Sequence, residues 1–513
     1  MSKLRQHPII ILLTINLLIG LLTFQDYGIS WDEPLFYDYA DSLGYAYSPM
    51  EWMSGDFDLD KVYGASGSDH ANRGPAYLFL ARGPVYLLEF FGLDKFDAWH
   101  LVNFLTFQLG VYLFYRLARR WLSGFAALAA TAFFAWQPLL WGHAFINPKD
   151  IPFLVFFLGA VYCGLELVDE TADKKKILWR RILWASFFLG IATSIRVLGP
   201  LAGLLVGIYV LSRIRRASSA TWIKSLLAYS ACAWLITWAT WPYLWMNPLF
   251  RFLDAFGFMS DNPTHLQVLF YGNSYAADDL PYRYLPVFLV LTLTEPVWLL
   301  FLAGLAAGFP RFREEGYFIP ALLSLWFFIP FLYVLVLRPP MYDGFRHFLF
   351  ILPPVFLVAG FAFERAFTLI RFPWLKAVLL LVTLGPSFMG MIQLHPYLYT
   401  YYNSFTGGTV GAFRRFETDY WLTCYKEAIE EFQSRGLGPA NLYVNREGYI
   451  AKIYAGDELN VLERRGSWGN IQPGDYVLIN TRNNEDRSEF RDAPLVYEIG
   501  RAGAVFCVVK QIP

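Results

Sequence analysis

For its first 395 residues the chain alternates long apolar runs with short basic or longer polar stretches, and then the pattern changes. The apolar runs cover 8–24, 99–117, 124–140, 151–168, 182–195, 198–211, 223–244, 284–307, 318–337, 348–370 and 377–392. The hydrocarbon core of a bilayer takes roughly 20 residues of helix, so these runs predict about eleven transmembrane helices. The first run follows Lys3, Arg5 and His7, and no small-x-small cleavage site comes after it, so it reads as a retained helix. Within the first polar loop, 77–91 predicts a helix lying on the bilayer surface. Beyond residue 395 the runs shorten. An amphipathic helix over 420–434, ended by Gly436, and strands at 441–445, 476–480, 496–499 and 505–509 predict an α/β unit. The expected fold class is therefore an all-α polytopic membrane domain, residues 1–395, followed by a soluble α/β domain, residues 396–513. The sequence shows no internal repeat and no low-complexity tract.

Charge orients this arrangement. With the N-terminus inside, the short inner loops carry Arg116, Arg119 and Arg120; Lys174 to Lys176 with Arg180 and Arg181; Arg213, Arg215, Arg216 and Lys224; Arg311 and Arg313; and Arg371 and Lys376. Every one is basic, as the positive-inside rule requires. Fusing the two short runs that flank Arg196 would invert everything downstream and move three of these clusters outside. The polar loops and the C-terminal domain are accordingly expected outside. Composition agrees with a membrane protein: 56% hydrophobic and only 16% charged, against about 25% charged in soluble domains. Net charge is zero, which gives no global field for nucleic acid. The four cysteines have neither zinc-site nor disulfide-framework spacing. Cys424 and Cys507 share the terminal domain and are expected to pair if it faces an oxidising compartment.

Three outer motifs bear chemistry. Ser30-Trp-Asp-Glu-Pro34 follows the first helix, and Asp32 or Glu33 reads either as a helix cap or as a carboxylate available as a general base. Asn147-Pro-Lys-Asp150 opens a helix. Asp150 suits the dipole of its first turn, whereas Lys149 does not, which suggests a polar site. Arg338 to His347 places Arg338, Arg346 and His347 on an outer turn, with Tyr342 between them, where the charge rule discourages cations. They read either as side chains snorkelling to headgroups or as a phosphate site at a helix start. Arg196 lies between two apolar runs, where an arginine usually faces a cavity or a carboxylate. His265, in the long outer loop 247–283, reads as a solvated residue or as a further ligand to the same phosphate.

An acidic pair outside the first helix, a second outer Asp after the third, and basic residues in later outer loops together resemble the GT-C superfamily. The likeness is to the branch holding protein O-mannosyltransferases and aminoarabinose transferases, and His395-Pro-Tyr-Leu-Tyr399 is similar to bacterial members. The resemblance implies an inverting glycosyltransferase of the bacterial inner membrane, a hexosyl- or pentosyltransferase with its active site on the periplasmic side. Its donor would be a polyprenyl-phosphate-linked sugar and its acceptor a lipid, glycan or protein. Asp32 matches the family's catalytic Asp, with Glu33 beside it, and Asp150 matches its second-loop acid. Lys149, Arg196, His265, Tyr342, Arg346 and His347 are the expected phosphate and substrate contacts. A divalent metal is possible in this superfamily, although no ligand cluster here demands one. Two other readings stay open: a lipid-linked-sugar flippase, and an O-antigen-ligase-like enzyme using a diphosphate-linked glycan.

Overall fold

A computed structural model describes residues 8–261, 264, 266–315, 318–464 and 468–513. His265 lies outside the described residues. All eleven apolar runs are helical. Among the described residues, six helices are long and apolar enough to cross a membrane, or up to eight if each of two bent pairs is one span. The protein is thus a multi-pass membrane protein. Length and composition do not reach the expected count of eleven, because Trp179–Ile195, Pro200–Arg213 and Ser219–Ala239 fall outside that set.

Ion pairs nevertheless separate the first two of these into two passes. Asp150–Lys174 is the 25-residue helix beside them. Arg181 pairs with Glu170 near its C-terminal end, Arg196 with Asp150 at its N-terminal end, and Arg213 with Asp169 near the C-terminal end again. The chain therefore runs the length of that helix and returns, as the basic-loop pattern required.

Asp150–Lys174 and Arg346–Leu369 form the centre, each 89% buried over its apolar window, whereas Ile9–Asp26, Phe318–Leu337 and Pro373–Leu394 are 28% buried and present their sides to lipid. The run expected at 124–140 bends by 62° between Gly124–Ala135 and Pro138–Ile146. Pro138 cannot donate to the ladder and holds Gln137 extended. A second bend, of 100°, separates Tyr284–Leu291 from the helix that begins at Glu295. Broken backbone at membrane depth must find partners inside the protein. Here Thr294 N in the second break donates to Gln137 Oε1 in the first at 3.2 Å, and Asn403 Nδ2, from beyond the last long apolar helix, donates to Leu293 O at 2.9 Å.

The segment expected to be helical over 77–91 forms the helix Ala76–Phe90, with Phe79, Leu87 and Phe90 exposed. The terminal region holds a five-stranded sheet, in spatial order Leu459–Glu463, Ala440–Val444, Tyr476–Asn480, Ala504–Gln511, Leu495–Arg501, of which the first three are parallel. Leu459–Glu463 and the hairpin Gln267–Phe270/Asn273–Ala276 were not expected. The helix expected from Tyr420 begins at Cys424, because the Asp419 carboxylate caps it by accepting from Thr423 N and Cys424 N, both at 3.0 Å. Cys424 and Cys507 form a disulfide. A protease nick between them is expected to yield fragments that stay together on a non-reducing gel and separate on reduction; separation without reductant would show the pair open.

Candidate active site

Asp32 stands at the N-terminus of Glu33–Ala46, yet its side chain makes no capping hydrogen bond. Glu33 does the local structural work. It is fully buried, accepts from Ser30 N at 2.6 Å and from Tyr37 OH at 2.6 Å, and meets His100 Nε2 at 2.9 Å. The acidic pair therefore divides: Asp32 faces the cavity described below, and Glu33, expected beside it in the catalytic set, points away into this network.

Asn147 builds the second motif. Its Oδ1 accepts from Asp150 N at 2.7 Å, and its Nδ2 donates to Asp150 Oδ2 at 2.9 Å. The Asp150 carboxylate is buried between two arginines, Arg196 and Arg346, the latter at 3.2 Å. This makes Asp150 a holder of cations rather than a free base. Arg346 continues the pattern. One amino group faces Asp32 at 3.6 Å as well as Asp150, and the other meets Asp343 at 3.0 Å. Asp343 in turn accepts from Arg482 at 2.8 Å, and Arg482 meets Glu417 at 3.2 Å. The result is a buried chain of alternating sign: Arg196, Asp150, Arg346, Asp343, Arg482, Glu417. Its geometry commits the Arg346 guanidinium largely to carboxylates, where a phosphate clamp was expected.

Three adjoining cavities meet along this chain. An apolar one is walled by residues such as Leu198, Trp241, Phe256 and Phe348. It shares Lys149, Arg196 and His347 with a polar middle cavity. The middle cavity shares Asp32, Arg73 and Tyr342 with an outer one, part of whose wall is His70 stacked against Phe36 and Tyr39. Asp32 thus stands on the wall between the middle and outer spaces. Lys149 lies at the inner boundary, 5.4 Å above the Phe36 ring and with no ion pair among the described residues. Tyr342 packs its edge against His347 and lies under Arg346.

Electrostatics follow from burial. Desolvation raises the Asp32 carboxyl above its usual range, and Arg346 and Arg73 oppose that rise. Desolvation holds the Lys149 ammonium well below its usual value, and the neighbouring Arg73 and Arg196 push the same way. Burial raises the Tyr342 phenol, so it remains a neutral donor. Four N–H donors on residues lining the middle cavity are buried without a hydrogen-bond partner among the described residues: Arg73 Nε, Arg196 Nε, Arg346 Nε and Trp421 Nε1. Among the described residues, no three His, Cys, Asp or Glu side chains group so as to hold a metal ion, and each carboxylate beside the cavity already has an arginine partner.

The structure brings together Asp32, Lys149, Asp150, Arg196, Tyr342, Arg346 and His347. Arg338, on the same outer turn, is exposed and outside the group. Arg73, Asp343, Trp421 and Arg482 were not singled out in the sequence. Arg73 carried a weak signal, a cation in an outer loop. It reaches the site because Gly74 packs so closely on Ser194 O that a Cβ there would sit 1.4 Å away. Asp343 lay inside the Arg338–His347 motif, whereas nothing local marks Trp421 or Arg482.

No family model and no curated protein matches the chain. Solved structures do. ArnT from Cupriavidus metallidurans in the apo state superposes with a TM-score of 0.51 at 14% identity, over 99% of this chain and 98% of that one. The Archaeoglobus fulgidus oligosaccharyltransferase in the apo form gives 0.51 at 12% identity, over 94% of this chain and 70% of that one. AglB from the same organism, in complex with an inhibitory peptide and a dolichol-phosphate, gives 0.50 at 12% identity, over 93% and 70%. The chain shares the fold of these structures over nearly its whole length.

Proposed function

We propose that the protein is an inverting glycosyltransferase that moves a sugar from a polyprenyl-phosphate carrier to an acceptor at the outer face of the membrane. The observation that carries this reading is the junction of cavities: Asp32 stands on the wall of a polar cavity that also holds Lys149 and Arg196, and those two cations are shared with an apolar cavity. The apolar cavity suits a hydrocarbon chain, the cations at its end suit its phosphate, and the outer cavity admits an acceptor.

Asp32 takes the proton of the acceptor nucleophile as that atom attacks the anomeric carbon. The bond from that carbon to the phosphate oxygen breaks, and the electron pair leaves on the phosphate. A singly charged diester becomes a monoester with greater negative charge, so Lys149, Arg196 and Arg73 stabilise the transition state more than the ground state. Attack opposite the leaving group inverts the centre. The fold shared with AglB in complex with a dolichol-phosphate supports the carrier class. The test incubates the purified protein with radiolabelled polyprenyl-phosphate sugars and follows release of polyprenyl phosphate and label in an acceptor. Movement of an intact lipid-linked sugar across vesicles without release would favour a flippase.

Residues 396–513 read as an extracytoplasmic domain, and the Cys424–Cys507 disulfide, a bond that persists in oxidising compartments, supports that side. In a variant lacking Cys163 and Cys232, a cysteine at exposed Ser434 is expected to react with an impermeant thiol reagent on intact spheroplasts, and one at exposed Ser218 is not. Labelling at Ser218 alone would reverse the orientation.

A further inference from the structure

The short loop that delivers Asp32 is held mainly by residues from the far end of the chain. Ile29 N donates to Tyr454 OH at 2.8 Å, and Trp31 N to Trp421 O at 3.2 Å. Tyr449 OH donates to Trp31 O at 2.6 Å. The Arg482 guanidinium lies 4.9 Å over the Trp31 ring. Gly28 abuts the Thr423 carbonyl, where a Cβ would come within 2.1 Å. Every one of these partners lies after the last membrane helix.

Arg482 joins the two ends of this arrangement. It is fully buried and donates to Asp343 Oδ1 and to Tyr420 O, both at 2.8 Å. The other Asp343 oxygen takes Arg346, which faces Asp32. Arg482 therefore acts on Asp32 twice, through the ring of the preceding residue and through the Asp343–Arg346 pair. Burying a guanidinium this deeply carries a large desolvation cost, and stability alone is a weak reason for it. Asp419, beside Glu417 and Tyr420, caps the helix that begins at Cys424, and that helix is disulfide-bonded to the strand bearing Cys507. The clamp is thus anchored in a rigid unit.

The geometry points to Arg482 as a positioning residue: it fixes the place of Asp32 and the cation that faces it, so the terminal region completes the active site. The turnover part of this inference rests on the sugar-transfer reading; the positioning part does not. The test uses the full chain in lipid nanodiscs and reads amide exchange and turnover together. In Arg482→Gln, exchange across residues 28–36 is expected to rise about ten-fold, while the strands Ala440–Val444 and Tyr476–Asn480 stay near wild type. Turnover is expected to fall roughly 100-fold, the usual consequence of misplacing a reacting group by about 1 Å, with polyprenyl-phosphate affinity retained. Arg482→Lys keeps the charge but loses the fork and the stacking plane, and is expected to fall between. If Arg482→Gln does not accumulate, because Asp343 and Glu417 lose their cation, Tyr449→Phe carries the test. It removes one hydrogen bond to Trp31 and is expected to cost about 2- to 10-fold in turnover, with exchange again raised at 28–36. Unchanged exchange at 28–36, or an equal rise in the strands, overturns the inference. Raised exchange in the variants of a wild type that transfers no sugar would uphold the positioning and remove the sugar-transfer reading.

Discussion

Asp32→Asn is expected to lower turnover by about 10²–10⁴-fold while leaving insertion and carrier binding intact, the usual size of a general-base contribution. The substitution keeps the shape and removes the proton acceptor. Because Asp32 makes no capping hydrogen bond, the helix that follows it does not depend on the carboxylate. Glu33→Gln is expected to behave differently: it disturbs the contacts to Ser30, Tyr37 and His100, so its loss should appear as reduced thermal stability. The pH profile separates the two. A base works only when ionised, so the rate falls as pH drops through its pKa. Burial raises the Asp32 pKa, which places this acid limb above the range of an ordinary carboxylate. Arg346 lowers it, so removing that cation with Arg346→Gln is expected to move the limb to higher pH, together with a large loss of turnover. An Asp32→Asn enzyme of near-normal rate would end the general-base assignment, and an unmoved limb in Arg346→Gln would remove the electrostatic role given to that pair.

Lys149→Ala is expected to weaken polyprenyl-phosphate binding by about 10- to 150-fold, since a charge-assisted hydrogen bond to phosphate is worth roughly 1.5–3 kcal/mol. Arg346, which the sequence favoured for this role, commits both of its amino groups to Asp32, Asp150 and Asp343. Lys149 has no such claim on it and sits where the apolar and polar cavities join. Its ammonium is held well below the usual pKa by burial and by Arg73 and Arg196. A phosphate arriving there favours the charged form and raises that pKa, so binding is expected to take up a proton. Calorimetry in buffers of different ionisation enthalpy measures this uptake, and the uptake should disappear in Lys149→Ala. Arg371→Ala, beyond the far end of the helix Leu352–Leu369, serves as control. Equal small effects at 149 and 371 would place the phosphate elsewhere.

Much of the body was legible because a bilayer imposes one-dimensional rules. A helix must stay apolar for roughly 20 residues, and loop cations mark the inner side. Those rules located the eleven apolar runs that fold as helices, the helix after Ala76 and the separation of the short pair around Arg196, but not the helices Pro138–Ile146 beyond residue 140 or Pro248–Ser260. They failed where backbone geometry intervened. The bends after Ala135 and Leu291 occur within continuous apolar runs, and hydropathy does not register a broken ladder. The hairpin at Gln267–Ala276 turns through Tyr271-Gly272, both at positive φ, without the Asn-Gly or Asp-Gly signal that usually announces such a turn. Leu459–Glu463 buries only two apolar side chains deeply, too few for a clear strand pattern at a sheet edge.

The sequence by itself determined that this is a membrane protein, which apolar runs fold as helices, and that polar residues near positions 32, 150 and 346 are out of place in a merely structural surface. Composition and spacing carry that information, because lipid penalises each misplaced charge individually. Tertiary structure decided which charges face one another. It turned Asp32 toward the cavity and Glu33 away from it, although adjacent positions look alike in a sequence. It gave Arg346 to three carboxylates and left Lys149 without an ion pair among the described residues. It also brought Trp421 and Arg482 to Asp32 across almost 400 residues or more of chain. Coulomb and hydrogen-bond energies depend on separations of a few ångströms, and only the folded chain sets those.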